Sequence, residues 1–197
     1  MSHVFGFSDP IELFRHWLMD AEKSEPNDPN AMTVATVDGD GRPSARIVLL
    51  RGFDAEGFSF FTNYQSRKGA DIAANPHGAI CIHWKSIRRQ IRAHGRIIKL
   101  DDKASDEYFY ARHPESQLGA WASQQSQVLD SRETMEKRME ELRIQYQGRE
   151  IPRPKHWGGY KLIAADIEFW HERPHRLHDR ELFVRDGHGW RANRLYP

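Results

Sequence analysis

The chain has 197 residues, 39% of them hydrophobic and 29% charged, with 29 Lys plus Arg against 28 Asp plus Glu. That length suits one domain over 1–197 with a real core, and the near-zero net charge argues against a nucleic-acid partner, which selects a strong basic excess. The single cysteine, Cys81, excludes an intramolecular disulfide framework, and no apolar stretch approaches the roughly 20 residues that cross a bilayer. Met1 to Gly6 shows no basic segment followed by an apolar one, so the expected location is cytoplasmic, with no membrane partner.

In chain order, Asp9 can cap a first helix, with Pro10 in its first turn and Glu12 completing a capping-box spacing. Leu13, Trp17, Leu18 and Ala21 then share one face, and Glu25 to Pro29 ends the helix. Met32–Val37 and Arg46–Leu50 flank Asp38-Gly39-Asp40-Gly41, a strong hairpin signal. Phe58 to Phe60, Ala79 to Trp84 and Gln90 to Ile97 read as further strands, and Cys81 as a small buried core thiol. Short helices are expected over Ser66 to Ala74 and Lys103 to Arg112, the second stopped before Pro114. A third, from the cap Asp130 to Gly148, carries Met135, Met139, Leu142 and Tyr146 as its buried stripe. Strands return around Tyr160 to Trp170, Glu181 to Val184 and before Arg194 to Pro197. Many strands on short turns predict a mainly β, α+β chain closed into an antiparallel barrel with peripheral helices.

Three groups of residues could carry chemistry. Arg46 and Arg51 bracket an apolar run, and their odd spacing along a strand sends them to opposite faces. Ser66-Arg67-Lys68 joins a hydroxyl and two cations to the free N–H groups of a helix start, a good phosphate site. Tyr108 and Arg112 stack on one helix face with Ser116 just beyond, which suits a second phosphate. Each group also has a plainer reading, as solvated surface charge or as an aromatic packed on the core beside a rim arginine. His175 and His178 lack the further ligands that zinc requires, so no metal is expected, and Arg176 and Arg180 around His178 suit an anionic or electron-rich ligand. The stretch Trp121 to Ser126 offers amide and hydroxyl groups to a heterocycle.

Arg46-Ile47-Val48-Leu49-Leu50, Phe61-Thr62-Asn63, Ser66-Arg67-Lys68, Ser116-Gln117-Leu118-Gly119-Ala120-Trp121, Gln125-Ser126, Trp157-Gly158-Gly159, Glu168-Phe169-Trp170, Arg176 to Arg180 and the terminal Arg194-Leu195-Tyr196-Pro197 occur in this order. Together they resemble the pyridoxine/pyridoxamine 5′-phosphate oxidase family over nearly the whole chain. The resemblance implies a split β-barrel, with FMN bound between the subunits of a homodimer and each site built from both. It implies FMN contacts from Arg46, Ile47, Leu49, Phe61, Thr62, Arg67, Lys68, Gln90, Gln125, Ser126, Trp170 and Arg180, the flavin phosphate lying on Arg46, Arg67 and Lys68. Tyr108, Arg112 and Ser116 would hold the phosphate of pyridoxine or pyridoxamine 5′-phosphate, and Arg176 and His178 would face its ring as catalytic groups. Oxygen would be the final acceptor. Arg51 stands where many members have a lysine on the substrate phosphate, and only eight residues precede Asp9, so a lid from a longer N-terminal extension is not expected. Two rivals keep the flavin residues: an oxidase of phenazine precursors, and a non-catalytic flavin or pyridoxal-phosphate carrier.

Overall fold

The computed structural model describes residues 3–187 and 189–197; Met1 and Ser2, part of the N-terminal reading above, lie outside it. The elements run α1 (Pro10–Ser24), β1 (Ala31–Val37), β2 (Pro43–Leu49), β3 (Gly52–Phe53), β4 (Gly57–Asn63), α2 (Arg67–Ala74), β5 (His77–Trp84) and β6 (Arg89–Lys99). They continue with α3 (Asp102–Tyr110), α4 (Pro114–Ala122), α5 (Arg132–Tyr146), β7 (Trp157–His171), β8 (Asp179–Asp186) and β9 (Gly189–Arg194). None of the described helices is long and apolar enough to cross a membrane.

The strands pair antiparallel in the order β2-β1-β5-β6-β7-β4-β3, with β8 on β7 and β9 on β8. β7 is what splits the barrel. β6 pairs with it over 160–171, while on the other side β4 takes its first half at 157–163 and β8 its second half at 166–171. A bulge makes this possible: the β6 register jumps between His94↔Asp166 and Gly95↔Ala164, leaving Ala165 extra. One extra residue reverses the facing of every later side chain. Accordingly the β7 residues in the main core are even up to Ala164 (Tyr160, Leu162) and odd beyond it (Ile167, Phe169). Gly95 permits the bulge, because a Cβ there would lie 1.9 Å from the Ile163 carbonyl oxygen. We expect Gly95→Ala to lose about 3 kcal/mol, melting roughly 10 °C lower. Melting within 2 °C or so of the parent would show that β7 can move aside.

α1 starts as expected, with the Asp9 side chain accepting from the Ile11 N–H. Its apolar stripe seals the barrel, with Phe14 packed edge-on at 4.8 Å from Phe53 and 4.9 Å from Phe58, and Trp17 at 5.2 Å from Phe169. The fully buried Phe14, Phe58 and Phe169 and the nearly buried Trp17 each contribute about 2–3 kcal/mol of transfer free energy. A second, smaller core of Phe109, Leu118, Ala120, Ile151 and Trp157 joins α3 and α4 to the start of β7.

Four expectations need correction. The second helix ends at Tyr110, and Pro114 then opens a further one, α4, with the His113 ring accepting from the Glu115 N–H. Proline both ends the helix before it and suits the first turn of the next; only its ending role is read above. α5 is capped by Ser131, whose side chain accepts from Thr134 N–H, not by Asp130. Its stripe of Met135, Met139, Leu142 and Tyr146 is only half-buried, since α5 lies on the outside of the chain. Cys81 is also half-buried, paired with Arg92 on the open side of the sheet, and burial pushes its thiol pKa up.

Candidate active site

A cavity of about 1070 Å³ opens between β2, the end of β4, the start of α2 and the α3–α4 layer. That exceeds the space a single small ligand usually fills. Its described lining contains Arg46, Arg51, Arg67, Lys68 and Arg112, and no Asp or Glu. Five cations facing one space without a carboxylate is an arrangement for anions.

At one end, α2 begins at the cap Ser66, a fully buried residue whose hydroxyl accepts from Gly69 N–H and donates to the Asn63 carbonyl. Arg67 and Lys68 follow in the first turn. Lys68 is 7% exposed and its ammonium donates to Thr62 Oγ1 at 2.9 Å, Gln125 Oε1 at 2.9 Å and Ser66 Oγ at 3.2 Å. All three partners are neutral. Burial, and the nearby Arg46 guanidinium, bring its pKa down to about 8. Arg46 reaches the same end from β2; burial lowers its pKa too, against the support of Asp71. Ile47, Leu49, Phe61 and Ser126 complete this part of the wall, and Ser126 holds a left-handed φ of 75°.

At the other end lie Tyr108, Arg112 and Ser116, from the end of α3, the link after it and the start of α4. Phe61 stacks on Tyr108 at 4.1 Å and on Trp157 at 5.6 Å, and the Arg112 guanidinium sits 4.6 Å over the Trp157 ring. Gly159 makes room for this stack, since a Cβ there would stand 2.8 Å from the Phe61 ring. Burial, with Arg51 nearby, lowers the pKa of Arg112, and its Nη1 is buried with no partner. A guanidinium N–H so placed is available to a ligand oxygen. Arg51 lies 5.6 Å over Tyr108 and lines the same cavity as Arg46. The expectation of opposite faces therefore fails. β2 ends at Leu49 and β3 starts at Gly52, so strand parity does not carry across to Arg51.

The remaining expected residues are gathered elsewhere. Gln90 pairs with Trp170, Trp170 with Arg180, and the Trp170 and His178 rings lie 4.6 Å apart. Arg180 Nε donates to Glu168 Oε1 at 2.8 Å and its Nη1 to the Tyr196 carbonyl at 3.0 Å. His178 Nδ1 accepts from Arg173 N–H at 3.2 Å, which leaves Nε2 as the donor of the neutral ring. Arg176 and His175 take successive left-handed φ values of 62° and 59°, with Arg176 exposed. Such strain persists at sites that use it. Thr62 pairs with Gly158, whereas this second group surrounds Trp170, about 40 Å further along β7. One chain thus holds the expected residues in two separate groups. Ser44, Asn63 and Trp157 also line the cavity, and Thr36 and Asp71 stand behind it. None of these five has a role in the sequence reading; Asp71, one helical turn after Arg67, had a spacing that could have shown it.

The family model described as Pyridoxamine 5′-phosphate oxidase matches residues 18–146, and that of the Pyridoxine 5′-phosphate oxidase C-terminal dimerisation region matches 157–197. A pyridoxine/pyridoxamine 5′-phosphate oxidase of Gluconobacter oxydans is 53% identical over 96% of this chain and 95% of its own. One of Rhodospirillum rubrum is 50% identical, covering 96% of each. Among solved structures, PhzG from Burkholderia lata, in complex with tetrahydrophenazine-1-carboxylic acid, superposes with a TM-score of 0.91 at 31% identity, over 97% of this chain and 94% of that one. A pyridoxamine 5′-phosphate oxidase-related, FMN binding protein from Nostoc punctiforme shares the fold, with a TM-score of 0.75 at 19% identity over 95% and 97% of the two chains. With its split barrel, its paired cationic ends and these matches along nearly its full length, the chain belongs to the pyridoxamine 5′-phosphate oxidase family.

Proposed function

We propose that this chain, as one domain over 1–197, oxidises pyridoxine or pyridoxamine 5′-phosphate with oxygen, giving pyridoxal 5′-phosphate and hydrogen peroxide, and ammonia from the amine. It acts as an FMN-dependent oxidoreductase and a cytoplasmic homodimer. The observation that carries this reading is the cavity with five cations, no carboxylate among its described lining residues and an aromatic stack inside it. FMN fits the donor set: Arg46, Arg67 and Lys68 face one end, where Lys68 has only neutral partners and is short of an anion. When bound, FMN supplies a two-electron acceptor that oxygen regenerates.

This chain's residues do the rest. Arg46, Arg67 and Lys68 hold the flavin phosphate, while Thr62, Gln125 and Ser126 orient the ring system. Tyr108, Arg112, Ser116 and Arg51 hold the substrate phosphate; a guanidinium at 51 grips it in a planar fork that a lysine cannot offer. In the second half-site Gln90, Trp170 and Arg180 close over the flavin from the other protomer. Arg176 orients the substrate ring and stabilises its charge, and His178, with Nε2 free of the Arg173 contact, serves proton movement.

Flavin absorbance on the purified protein, with peroxide formed on adding pyridoxine 5′-phosphate, tests the reaction. A yellow protein that forms no peroxide is a carrier instead. A phenazine-type oxidase, the reading suggested by the PhzG likeness, has no need of the second phosphate group at Tyr108, Arg112 and Ser116. Arg176→Ala should lower turnover about tenfold to a hundredfold with the flavin spectrum kept. Refolded together with a Lys68→Met chain, it should regain activity, because a mixed dimer contains one site with both halves intact. No recovery on mixing would place both halves in one chain.

A further inference from the structure

We propose that Asp71 is a positioning residue for the anion-binding end of the cavity: through the Thr36 hydroxyl and its own carboxylate it fixes the Arg46 guanidinium. The proposal rests on reading that end as the FMN phosphate site. Three elements converge on the contact. Thr36 comes from β1, Arg46 from the strand paired with it, and Asp71 from the second turn of α2. Arg46 Nη1 donates to Thr36 Oγ1 at 2.7 Å, and Thr36 Oγ1 donates in turn to Asp71 Oδ2 at 2.6 Å. The same carboxylate oxygen stands 3.5 Å from Arg46 Nη2, which also donates to Ser44 Oγ at 2.8 Å. Thr36 is fully buried and Asp71 is 5% exposed, so neither group has water to substitute for its partner.

A hydroxyl that donates to a carboxylate is a stronger acceptor for the guanidinium behind it, because hydrogen bonds in a chain polarise one another. The Arg46 side chain, rich in rotamers, is thereby ordered before any anion arrives, and less ordering remains to be done on binding. Asp71 itself is absent from the cavity lining. Its negative charge acts from the rear, where it supports the cations more than it repels a ligand beyond them.

The arrangement also governs protonation. The charged groups acting on Lys68 are Arg46 from β2 and Asp71 from its own helix, with Arg67 adjacent; Thr62 of β4 and Gln125 after α4 are neutral. Asp71 favours the ammonium and Arg46 opposes it. Neutralising Asp71 removes the one charged partner of the guanidinium, leaving it the Val34 and Ser44 carbonyls and the Ser44 and Thr36 hydroxyls, and lets Lys68 lose its proton at lower pH.

Flavin fluorescence quenching with FMN and with riboflavin, which lacks the phosphate, over pH 6 to 9, tests this on the parent, Asp71→Asn and Thr36→Val. The parent should prefer FMN, with the preference declining above about pH 8. In Asp71→Asn the preference should fall about tenfold at pH 8 and the decline begin about one pH unit lower, with riboflavin affinity within twofold of the parent. Thr36→Val should lose a few-fold of the preference with the pH of decline unchanged, since the carboxylate remains. Asp71→Asn with the parent's preference and pH profile overturns the proposal. So does an equal loss for both flavins, which marks a purely structural role. If Asp71→Asn does not fold, an unchanged FMN preference in Thr36→Val overturns it. A parent that binds FMN no better than riboflavin removes the phosphate reading itself, and the proposal with it.

Discussion

Replacing Lys68 with methionine should leave a protein that folds at least as well as the parent and binds FMN about 10²–10³-fold more weakly. Lys68 is 7% exposed, and burial beside Arg46 holds its pKa at about 8, against 10.5 for a free lysine. The folded pKa is the lower one, so between pH 8 and 10.5 the unfolded chain carries the extra proton and stability rises with pH. Below pH 8 the full cost of keeping the ammonium charged is present, about 3 kcal/mol. Methionine removes that cost without stranding the neighbours, because Thr62 Oγ1 still donates to Gln125 Oε1 at 3.0 Å. At pH 7 the flavin-free variant should melt at or above the parent's temperature, and the parent's gain in stability above pH 8 should be missing from it. The lost affinity should be specific to the phosphate, leaving riboflavin binding nearly unchanged. An FMN dissociation constant within threefold or so of the parent's would remove Lys68 from the site.

The second large effect is expected at Arg112. Its Nη1 is buried without a partner while its plane rests 4.6 Å over Trp157. An unpaired donor of this kind costs about 1–3 kcal/mol, a cost that a bound phosphate oxygen would offset. Arg112→Met keeps the bulk over the indole and removes every donor. The phosphate is remote from the reacting carbon, so its contacts hold substrate and transition state alike. KM for pyridoxine 5′-phosphate should therefore rise about 10²–10³-fold, with kcat falling less than about tenfold. The variant should also lose most of its preference for the phosphorylated vitamer over free pyridoxine. Equal KM values in parent and variant would show that Arg112 serves only the Phe109–Trp157 core.

Much of this was legible in residue order. Alternating apolar positions and the Asp38–Gly41 turn mark the β1–β2 hairpin, and the Asp9 cap with its Leu13–Trp17–Ala21 stripe marks α1. The two cationic ends of the cavity, Ser66-Arg67-Lys68 and Tyr108-Arg112-Ser116, were visible because each is assembled within one short segment. α4 was hidden by Gly119 and by a proline that both stops one helix and starts another. Arg51 was assigned to the wrong face because parity holds only within an unbroken strand.

The sequence by itself determined the element types, the charge and the chemistry of each short cluster, since propensity, capping and period act between residues a few positions apart. Tertiary structure alone decided three things. It set the bulge at Ala165 that hands β7 from β4 to β8. It divided the expected site residues into two groups twelve residues apart on that strand. And it joined Thr36, Arg46 and Asp71 into one hydrogen-bonded chain across 35 residues. Each depends on strand register or helix docking, where the burial of side chains distant in sequence outweighs any local preference.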